Sequence, residues 1–261
     1  MPVTSGQIVD AFRFPSSIAN EDQLFRWSPE KLSLDSKMGT ENKVTHNCYA
    51  LFDNSEEALL QWKNSTWRDS SWLSLLAISA ATGFHQLDTI KTLGFKGVVL
   101  HPYLQNIDEK KIHVVIELCR QASQLGLLIV VCTAYGGTAL YDIQPLRIAQ
   151  RIADIVTTPL ILSHAGGAKV LDAMLLAEAY PHLLLDTSYS LSYWLGSSVE
   201  QDFAFAMKKL GCQRWLFGSD APFLSQQDAI RDHMLFFKRH SFSETEIDQI
   251  MWRNSKQLYE V

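Results

Sequence analysis

The chain has 261 residues, a length that fits either two small domains or one α/β barrel. Hydrophobic residues make up 47% of the sequence, enough for a large core, and the net charge of -5 gives no basic footprint for nucleic acid. We expect neither a membrane-spanning segment nor a signal peptide, because no apolar run is long enough and the first residues are polar and uncharged.

Strand-like apolar runs alternate with helical segments along the whole chain. Strands are predicted at 7–14, 48–52, 72–79, 95–101, 127–132, 159–164, 182–186 and 214–217. Helices are predicted at 54–62, with Asn54 as its cap, and at 84–93, 107–125, 145–155, 169–179, 199–210, 226–238 and 244–259. The strands are nearly continuous apolar runs, which is typical of strands buried on both faces. The pattern predicts a single TIM (β/α)8 barrel over 1–261.

A doubly wound open sheet is the alternative fold, and it is less favoured because no GxGxxG follows the first strand. Residues 15–43 are polar and irregular apart from a weak helical pattern near 29–38. A connection of this length is typical of a binding loop, so we expect it over the mouth of the barrel.

Chemistry in a TIM barrel is carried at the C-terminal ends of the strands. Polar or reactive side chains occupy several of these ends, and each alone has a structural explanation. Asp186 and Asp220 would serve as helix caps, and Cys132 as a small core residue. Their convergence at one edge favours an active site. The residues predicted to line the mouth are Phe12, Phe14, His101, Tyr103, Cys132, Tyr135, His164, Asp186, Ser188 and Asp220.

Four segments resemble the amidohydrolase-related family of TIM-barrel, usually metal-dependent hydrolases. They are GFKGVVLHPY at 94–103, LILSHAGG at 160–167, YPHLLLDTS at 180–188 and LGCQRWLFGSDAPF at 210–223. Their order and spacing resemble the family from about residue 72 onward, whereas the first strand matches only in its IVDA opening. The resemblance implies that His164 and Asp220 are the strand-six histidine and the strand-eight aspartate, which takes the proton from the attacking water.

The departures from the family concern its metal ligands. The family usually has His-x-His on strand one, where this chain has Phe12, Arg13 and Phe14. The usual strand-five histidine falls at Cys132, and Val99 stands where some members carry a bridging lysine or a glutamate. The usual metal site is therefore expected to be mostly absent.

The first hypothesis is a metal-independent, cofactor-free hydrolase of a small-molecule lactone, ester or amide. Asp220 would be the general base, and His164 would orient the substrate or stabilise negative charge. Without a metal, His101, His164, Arg13 or backbone N–H groups near 166–167 would polarise the carbonyl. The residues expected to bind the substrate are Phe12, Arg13, Phe14, His101, Tyr103, Cys132, Tyr135 and Asp186.

Two other hypotheses stay open. A metal-dependent hydrolase or decarboxylase would hold a divalent metal such as zinc through Cys132, His164 and Asp220, with His101 or water. A pseudoenzyme would keep the barrel only for binding.

Compartment and assembly are indicated only by composition. The four cysteines are scattered without a CxxC pair, which favours reduced thiols in a cytoplasmic protein. A homo-oligomer is possible, with tryptophans buried against another subunit. The tryptophans considered for that interface are Trp62, Trp67, Trp72 and Trp252.

Overall fold

A computed structural model describes residues 7–15, 44–64, 72–108, 110–135 and 139–260. Eight parallel strands form one sheet in which each strand pairs with the next. Backbone hydrogen bonds of 2.8 Å from Ala11 to Phe217 and 3.1 Å from Asp220 to Phe12 join its first and last strands. The predicted TIM barrel is therefore confirmed. The strands are β1 Ile8–Arg13, β2 Val44–Leu51, β3 Trp72–Ala77, β4 Gly97–Leu100, β5 Leu128–Cys132, β6 Leu160–Ser163, β7 Leu183–Asp186 and β8 Trp215–Leu216.

Helices pack around the sheet, and among those described none has the length and apolar run that a bilayer crossing requires. A π-helical turn at Gln249–Arg253 interrupts the helix predicted at 244–259, and the short helix after β7 was not predicted. The helices are α1 Glu56–Asn64, α2 Phe84–Thr92, α3 Ile112–Gln124, α4 Pro145–Ala153, α5 Val170–Ala179, α6 Ser190–Tyr193, α7 Ser198–Leu210, α8 Gln226–Arg239, α9 Glu244–Asp248 and α10 Asn254–Tyr259.

The cap predicted for α1 is wrong. The Asn54 side chain donates to the Ala77 carbonyl at 3.0 Å and so ties the β2 connection to β3. Ser55 takes the capping role, because its Oγ accepts the Ala58 N–H at 3.2 Å. The start of α3 also differs from the prediction at 107, since residues 110–111 form a turn and the helix begins only at Ile112.

Buried apolar residues form an outer core between the sheet and the helices and a smaller inner core inside the barrel. Successive residues of a strand face opposite sides, so Cys48 and Ala50 belong to the inner core while Tyr49 and Leu51 belong to the outer core. Side chains therefore fill the barrel, and a ligand can reach only its mouth. The inner core consists of Ala11, Phe12, Phe14, Cys48, Ala50, Phe52, Leu73, Leu75, Ala77, Val99, Leu128, Val130, Ile161, Leu216 and Tyr259.

Trp62 does not support the predicted subunit interface. Its side chain is 3% exposed and stacks on Phe95 with ring centroids 4.3 Å apart. Its indole N–H donates to the Leu93 carbonyl at 3.2 Å, so the residue is satisfied within this chain. Trp67, the side chain of Trp72 and residues 16–43 of the loop predicted at 15–43 lie outside the described residues.

Candidate active site

Asp220 lies just past the end of β8, in the left-handed region with φ of 62°, which aspartate tolerates better than most residues. It is buried, and its Oδ1 has no hydrogen-bond partner within the described residues. It is not the cap of the following helix, because Ser225 Oγ accepts the Asp228 N–H at 3.1 Å. The structural interpretation of Asp220 as a cap is therefore wrong. A buried carboxylate oxygen without a partner calls for a functional explanation.

His164 follows β6 and faces Asp220. Its Nδ1 lies 2.8 Å from the Ser188 carbonyl, and since a carbonyl only accepts, Nδ1 carries the hydrogen. The lone pair is then on Nε2, 3.9 Å from Asp220 Oδ1. Burial lowers the pKa of His164 to about 4, although the bond to Ser188 opposes this shift. At neutral pH the ring is uncharged and presents an acceptor towards the carboxylate.

The residues from His164 to Gly167 form a tight left-handed segment, with φ of 67°, 48°, 79° and 57° in order. The Gly166 N–H donates to Thr133 Oγ1 at 2.9 Å. A Cβ on Gly167 would lie 3.3 Å from the backbone nitrogen of Tyr135. The two glycines therefore let the chain turn sharply beside His164. The Gly166 N–H is already bonded, which removes it from the candidates for polarising a carbonyl.

Asp186 is fully buried at the end of β7, beside the turn that follows β8. Its Oδ1 accepts the Ser188 N–H at 2.7 Å, so it stabilises its own turn and does not cap α6. A Cβ on Gly218 would come within 2.6 Å of its Oδ2, so only glycine leaves room there for the carboxylate. Burial raises the pKa of Asp186 to about 7, against the lowering effect of its hydrogen bonds from Ser188.

Asp10 was not predicted to be part of the site, yet it holds the loop that carries Asp220. Its Oδ1 accepts the Ser219 N–H at 2.9 Å, and its Oδ2 accepts the Ser219 hydroxyl at 2.6 Å and the Gln226 amide at 2.7 Å. The alternation along β1 was the signal for this role, because it places Asp10 on the face shared by Phe12 and Phe14. Burial raises the pKa of Asp10, whereas Arg13 opposes the shift.

The three buried carboxyl groups influence one another. Burial raises the pKa of Asp220 well above its usual range, and the charges of Asp186 and Asp10 raise it further. A like charge nearby disfavours the ionised form, so Asp220 holds its proton more tightly than an isolated aspartate does.

Aromatic rings surround the mouth next to Asp220 and form what we call the aromatic collar. Its members are Phe12, Phe14, Phe52 and Phe223. Phe14 contacts the other three, with centroid distances of 5.4 Å to Phe12 and Phe223 and 5.9 Å to Phe52. The ring of His164 lies 6.1 Å from that of Phe12, and the ring of His101 lies 6.1 Å from that of Phe52. Both histidines therefore border an apolar cluster of aromatic rings, in which Phe12, Phe14 and Phe52 are buried and Phe223 is partly exposed.

His101 is held as a neutral ring of the opposite tautomer. Its Nδ1 accepts the Leu104 N–H at 3.3 Å, which leaves the hydrogen on Nε2. Its backbone N–H donates to Gln105 Oε1 at 2.8 Å, and that amide donates to Ile78 at 2.9 Å, so the position is well anchored. Burial, followed by repulsion from His164, lowers the pKa of His101 to about 3. The ring therefore presents an N–H donor, whereas His164 presents an acceptor.

Two of the residues predicted to bind substrate lie away from the collar. Arg13 donates to Asn47 at 3.2 Å and sits 5.2 Å from the centroid of the Tyr49 ring, which belongs to the outer core. Tyr103 also packs against the outer core. Both side chains therefore contact residues of the outer core.

Tyr135 and Cys132 follow the same strand but differ in environment. The Tyr135 ring lies 3.8 Å from Lys169 Nζ and lines a surface depression between α4 and α5. Cys132 is fully buried at the end of β5, and none of the four cysteines is in a disulfide bond within the described residues. Neither residue forms part of the collar.

The side chains present do not fit the family's metal site. His164 Nε2 and Asp220 Oδ1 remain as donors, but Phe12 and Phe14 fill the strand-one positions with apolar rings. Over residues 7–15, 44–64, 72–108, 110–135 and 139–260, no three His, Cys, Asp or Glu side chains are grouped so that they could hold a metal ion. The alternative ligand set that includes Cys132 is therefore not assembled.

We predict that Asp186→Asn stabilises the protein at alkaline pH. A pKa raised from 3.8 to about 7 means that the folded state binds the proton more tightly than the unfolded state. The unfolding free energy of the wild type therefore falls as pH rises through this window, by roughly 4 kcal/mol from this group. Asparagine keeps an oxygen that accepts the Ser188 N–H, and it removes the cost of ionising a buried carboxyl group at high pH.

Urea unfolding at pH 5 and pH 8 measures the free energy of unfolding of Asp186→Asn and of the wild type. Asp88→Asn, on the exposed face of α2, is the matched control. The advantage of Asp186→Asn over the wild type should be larger at pH 8. If both proteins show the same pH dependence, Asp186 titrates as an ordinary carboxyl group.

Comparisons with known proteins agree with the fold. A sequence model of the amidohydrolase family matches residues 80–261. No curated protein sequence gave a match.

Three solved structures show the same barrel. A probable 2-pyrone-4,6-dicarboxylic acid hydrolase from Acinetobacter baumannii is 17% identical, with a TM-score of 0.64 over 98% of this chain and 100% of that one. An uncharacterized TIM-barrel protein from Bordetella bronchiseptica is 19% identical, with a TM-score of 0.70 over 97% and 98%. A 2,6-dihydroxybenzoate decarboxylase from Rhizobium is 13% identical, with a TM-score of 0.62 over 97% and 98%.

Proposed function

The chain belongs to the amidohydrolase family, and we propose that it is a metal-independent hydrolase of a small, planar lactone, ester or amide. The observation that carries this proposal is the pair formed by Asp220 and His164. The buried Oδ1 of Asp220, which has no hydrogen-bond partner in the part of the chain that the structure describes, lies 3.9 Å from His164 Nε2. Both atoms are acceptors, and they face each other beside the aromatic collar.

Two acceptors at this separation suit a water molecule that donates one O–H to each. Such a water keeps a lone pair free to attack a carbonyl carbon. As the new C–O bond forms, the proton passes from the water to the Asp220 carboxylate, which acts as general base. The bond to the leaving oxygen or nitrogen then breaks, and the leaving atom takes the proton from Asp220.

Negative charge that develops on the carbonyl oxygen needs a donor, and His101 is suited to that role. Its Nε2–H is fixed by the Leu104 N–H on the other ring nitrogen. A neutral imidazole placed in advance can stabilise an oxyanion without reorganisation. Arg13 and the Gly166 N–H were two of the other candidates, and both are bonded elsewhere.

The aromatic collar favours a flat substrate. Phenylalanine rings pack well against the face or edge of another planar ring. A 2-pyrone is a planar lactone, and one of the structural neighbours is a probable 2-pyrone-4,6-dicarboxylic acid hydrolase. We therefore favour a ring lactone over an open-chain ester.

Decarboxylation of a benzoate-like acid is the second candidate, and the raised pKa of Asp220 favours it. A protonated Asp220 would give its proton to the ring carbon as that carbon loses carbon dioxide. The collar would hold a benzoate ring equally well, and a structural neighbour is a 2,6-dihydroxybenzoate decarboxylase.

The purified, untagged full chain tests these reactions with a panel of 2-pyrones, aryl lactones and hydroxybenzoates, before and after chelation, with metal content measured in parallel. We expect lactone hydrolysis that survives chelation. Its kcat/KM should rise with pH through the raised pKa of Asp220, because only the ionised base accepts a proton. Stoichiometric zinc or manganese with activity lost on chelation would refute the metal-independent reaction, and carbon dioxide release without hydrolysis would favour the decarboxylase.

A further inference from the structure

We propose that His233, on α8, is a positioning residue for this site and that it acts through Thr187. The inference rests on the proposed function, because the role assigned to His233 is to keep His164 and Asp186 in place at the proposed site. His233 is buried, with 1% of its surface exposed. It lies behind the barrel wall and does not touch the mouth itself.

The hydrogen bonds around His233 have one consistent arrangement for a neutral ring. Its Nδ1 lies 2.7 Å from the Ala229 carbonyl, so Nδ1 carries the hydrogen. Its Nε2 lies 2.7 Å from Thr187 Oγ1 and must accept the hydroxyl hydrogen. The Leu216 carbonyl, 3.1 Å from the same hydroxyl, still receives the Thr187 N–H at 3.1 Å. Every polar atom is then satisfied, and burial, which lowers the pKa of His233 to about 4, keeps the ring neutral.

Thr187 is the middle residue of the segment that builds one side of the site. Asp186 precedes it, and Ser188 follows it with a carbonyl that receives the hydrogen of His164 Nδ1. The next residue, Tyr189, has a φ of 53°, which is unfavourable for a bulky side chain. A strained turn keeps one conformation only if its surroundings fix it. Thr187, held to both β8 and α8, is the anchor of this turn.

The surroundings of His233 allow the effect of losing its hydrogen bond to be measured separately from the effect of losing packing contacts. Its ring meets Phe217 edge-on at 4.8 Å and Phe237 at 6.1 Å, so apolar rings flank it. Leucine at this position would keep apolar contacts, and valine at Thr187 would keep the shape of threonine. Replacing both partners of a buried hydrogen bond by apolar groups is close to neutral for stability, whereas replacing one leaves an unsatisfied group.

The test compares Thr187→Val, His233→Leu and the double variant, with His113→Leu on the exposed face of α3 as the control. The wild type and Asp220→Asn are first assayed with the lactone panel, so that failure of the proposed function is recognised separately. We expect each single variant and the double variant to lose about 10- to 100-fold in kcat with a smaller change in KM, because a displaced Ser188 carbonyl misorients His164. The melting temperature of the double variant should return close to that of the wild type.

Recovery of kcat together with the melting temperature in the double variant would overturn the proposal, since the pair would then serve only stability. A second readout needs no substrate: the ring N–H of His164 in nitrogen-15-labelled protein. We expect its hydrogen exchange to become faster in the double variant than in the wild type. Unchanged exchange in a folded double variant would likewise overturn the proposal.

Discussion

Replacing Asp220 with asparagine is expected to lower kcat by about 1,000-fold or more, because an amide cannot take the proton of the attacking water. Asparagine is the appropriate substitute for two reasons. It tolerates the left-handed φ of 62° at this position, where alanine would be strained. It also keeps the size of the buried side chain, so that the collar and the His164 contact are preserved.

The same substitution should leave the fold intact and raise its stability at alkaline pH. Burial and the charges of Asp186 and Asp10 raise the pKa of Asp220, so ionisation of this group destabilises the folded state as pH rises. Loss of activity combined with a higher unfolding free energy at pH 8 would separate a catalytic role from a structural one. Asp88→Asn serves as the control for the loss of one exposed carboxylate.

Single-turnover and steady-state rates with the best substrate of the panel measure the effect. If Asp220→Asn keeps more than about a tenth of the wild-type kcat, Asp220 is not the general base, since general-base catalysis typically contributes 100-fold or more. A wild type that turns over no lactone, ester, amide or benzoate would instead favour the pseudoenzyme hypothesis.

The barrel could be predicted from the sequence because its signals are local and repeated. Apolar runs of strand length are interrupted by helical periods, and this alternation of segments is enough to predict the barrel. The errors lie where a single side chain decides the outcome. Ser55 and Asn54 are both good capping residues, and only the position of Ala77 shows which of them caps α1.

The site was only partly predictable, for a different physical reason. His164 directly follows β6, whereas Asp220 lies in the loop beyond β8, and the resemblance of both segments to the family predicted these two residues at the mouth. Tyr103 and Tyr135 also lie beyond their strands, without a role implied by the resemblance to fix their positions, and they contact the outer core and Lys169. The Thr187 and His233 contact joins residues 46 positions apart, and such pairings depend on tertiary packing that spacing does not reveal.

Restoring histidine at both Phe12 and Phe14 is expected to raise zinc affinity well above that of the wild type. His164 Nε2 and Asp220 Oδ1 lie 3.9 Å apart, and a shift of about half an ångström would bring them to the separation of roughly 3.4 Å that two ligands of a tetrahedral zinc ion adopt. The bond from His164 Nδ1 to the Ser188 carbonyl is of the kind that orients metal-binding histidines. Phe12 already lies 6.1 Å from the His164 ring.

Zinc content after dialysis and calorimetric titration measure the gain in zinc affinity. The two single variants, each of which restores one histidine, serve as comparisons. Asp220→Asn in the double-histidine background should weaken binding again, because an amide oxygen is a poorer ligand than a carboxylate. A folded double variant that takes up no zinc would show that β1 does not correspond to the family's metal-binding strand. Zinc uptake would instead mean that the two missing histidines account for the loss of the family's metal site, and that the barrel geometry around His164 and Asp220 is preserved.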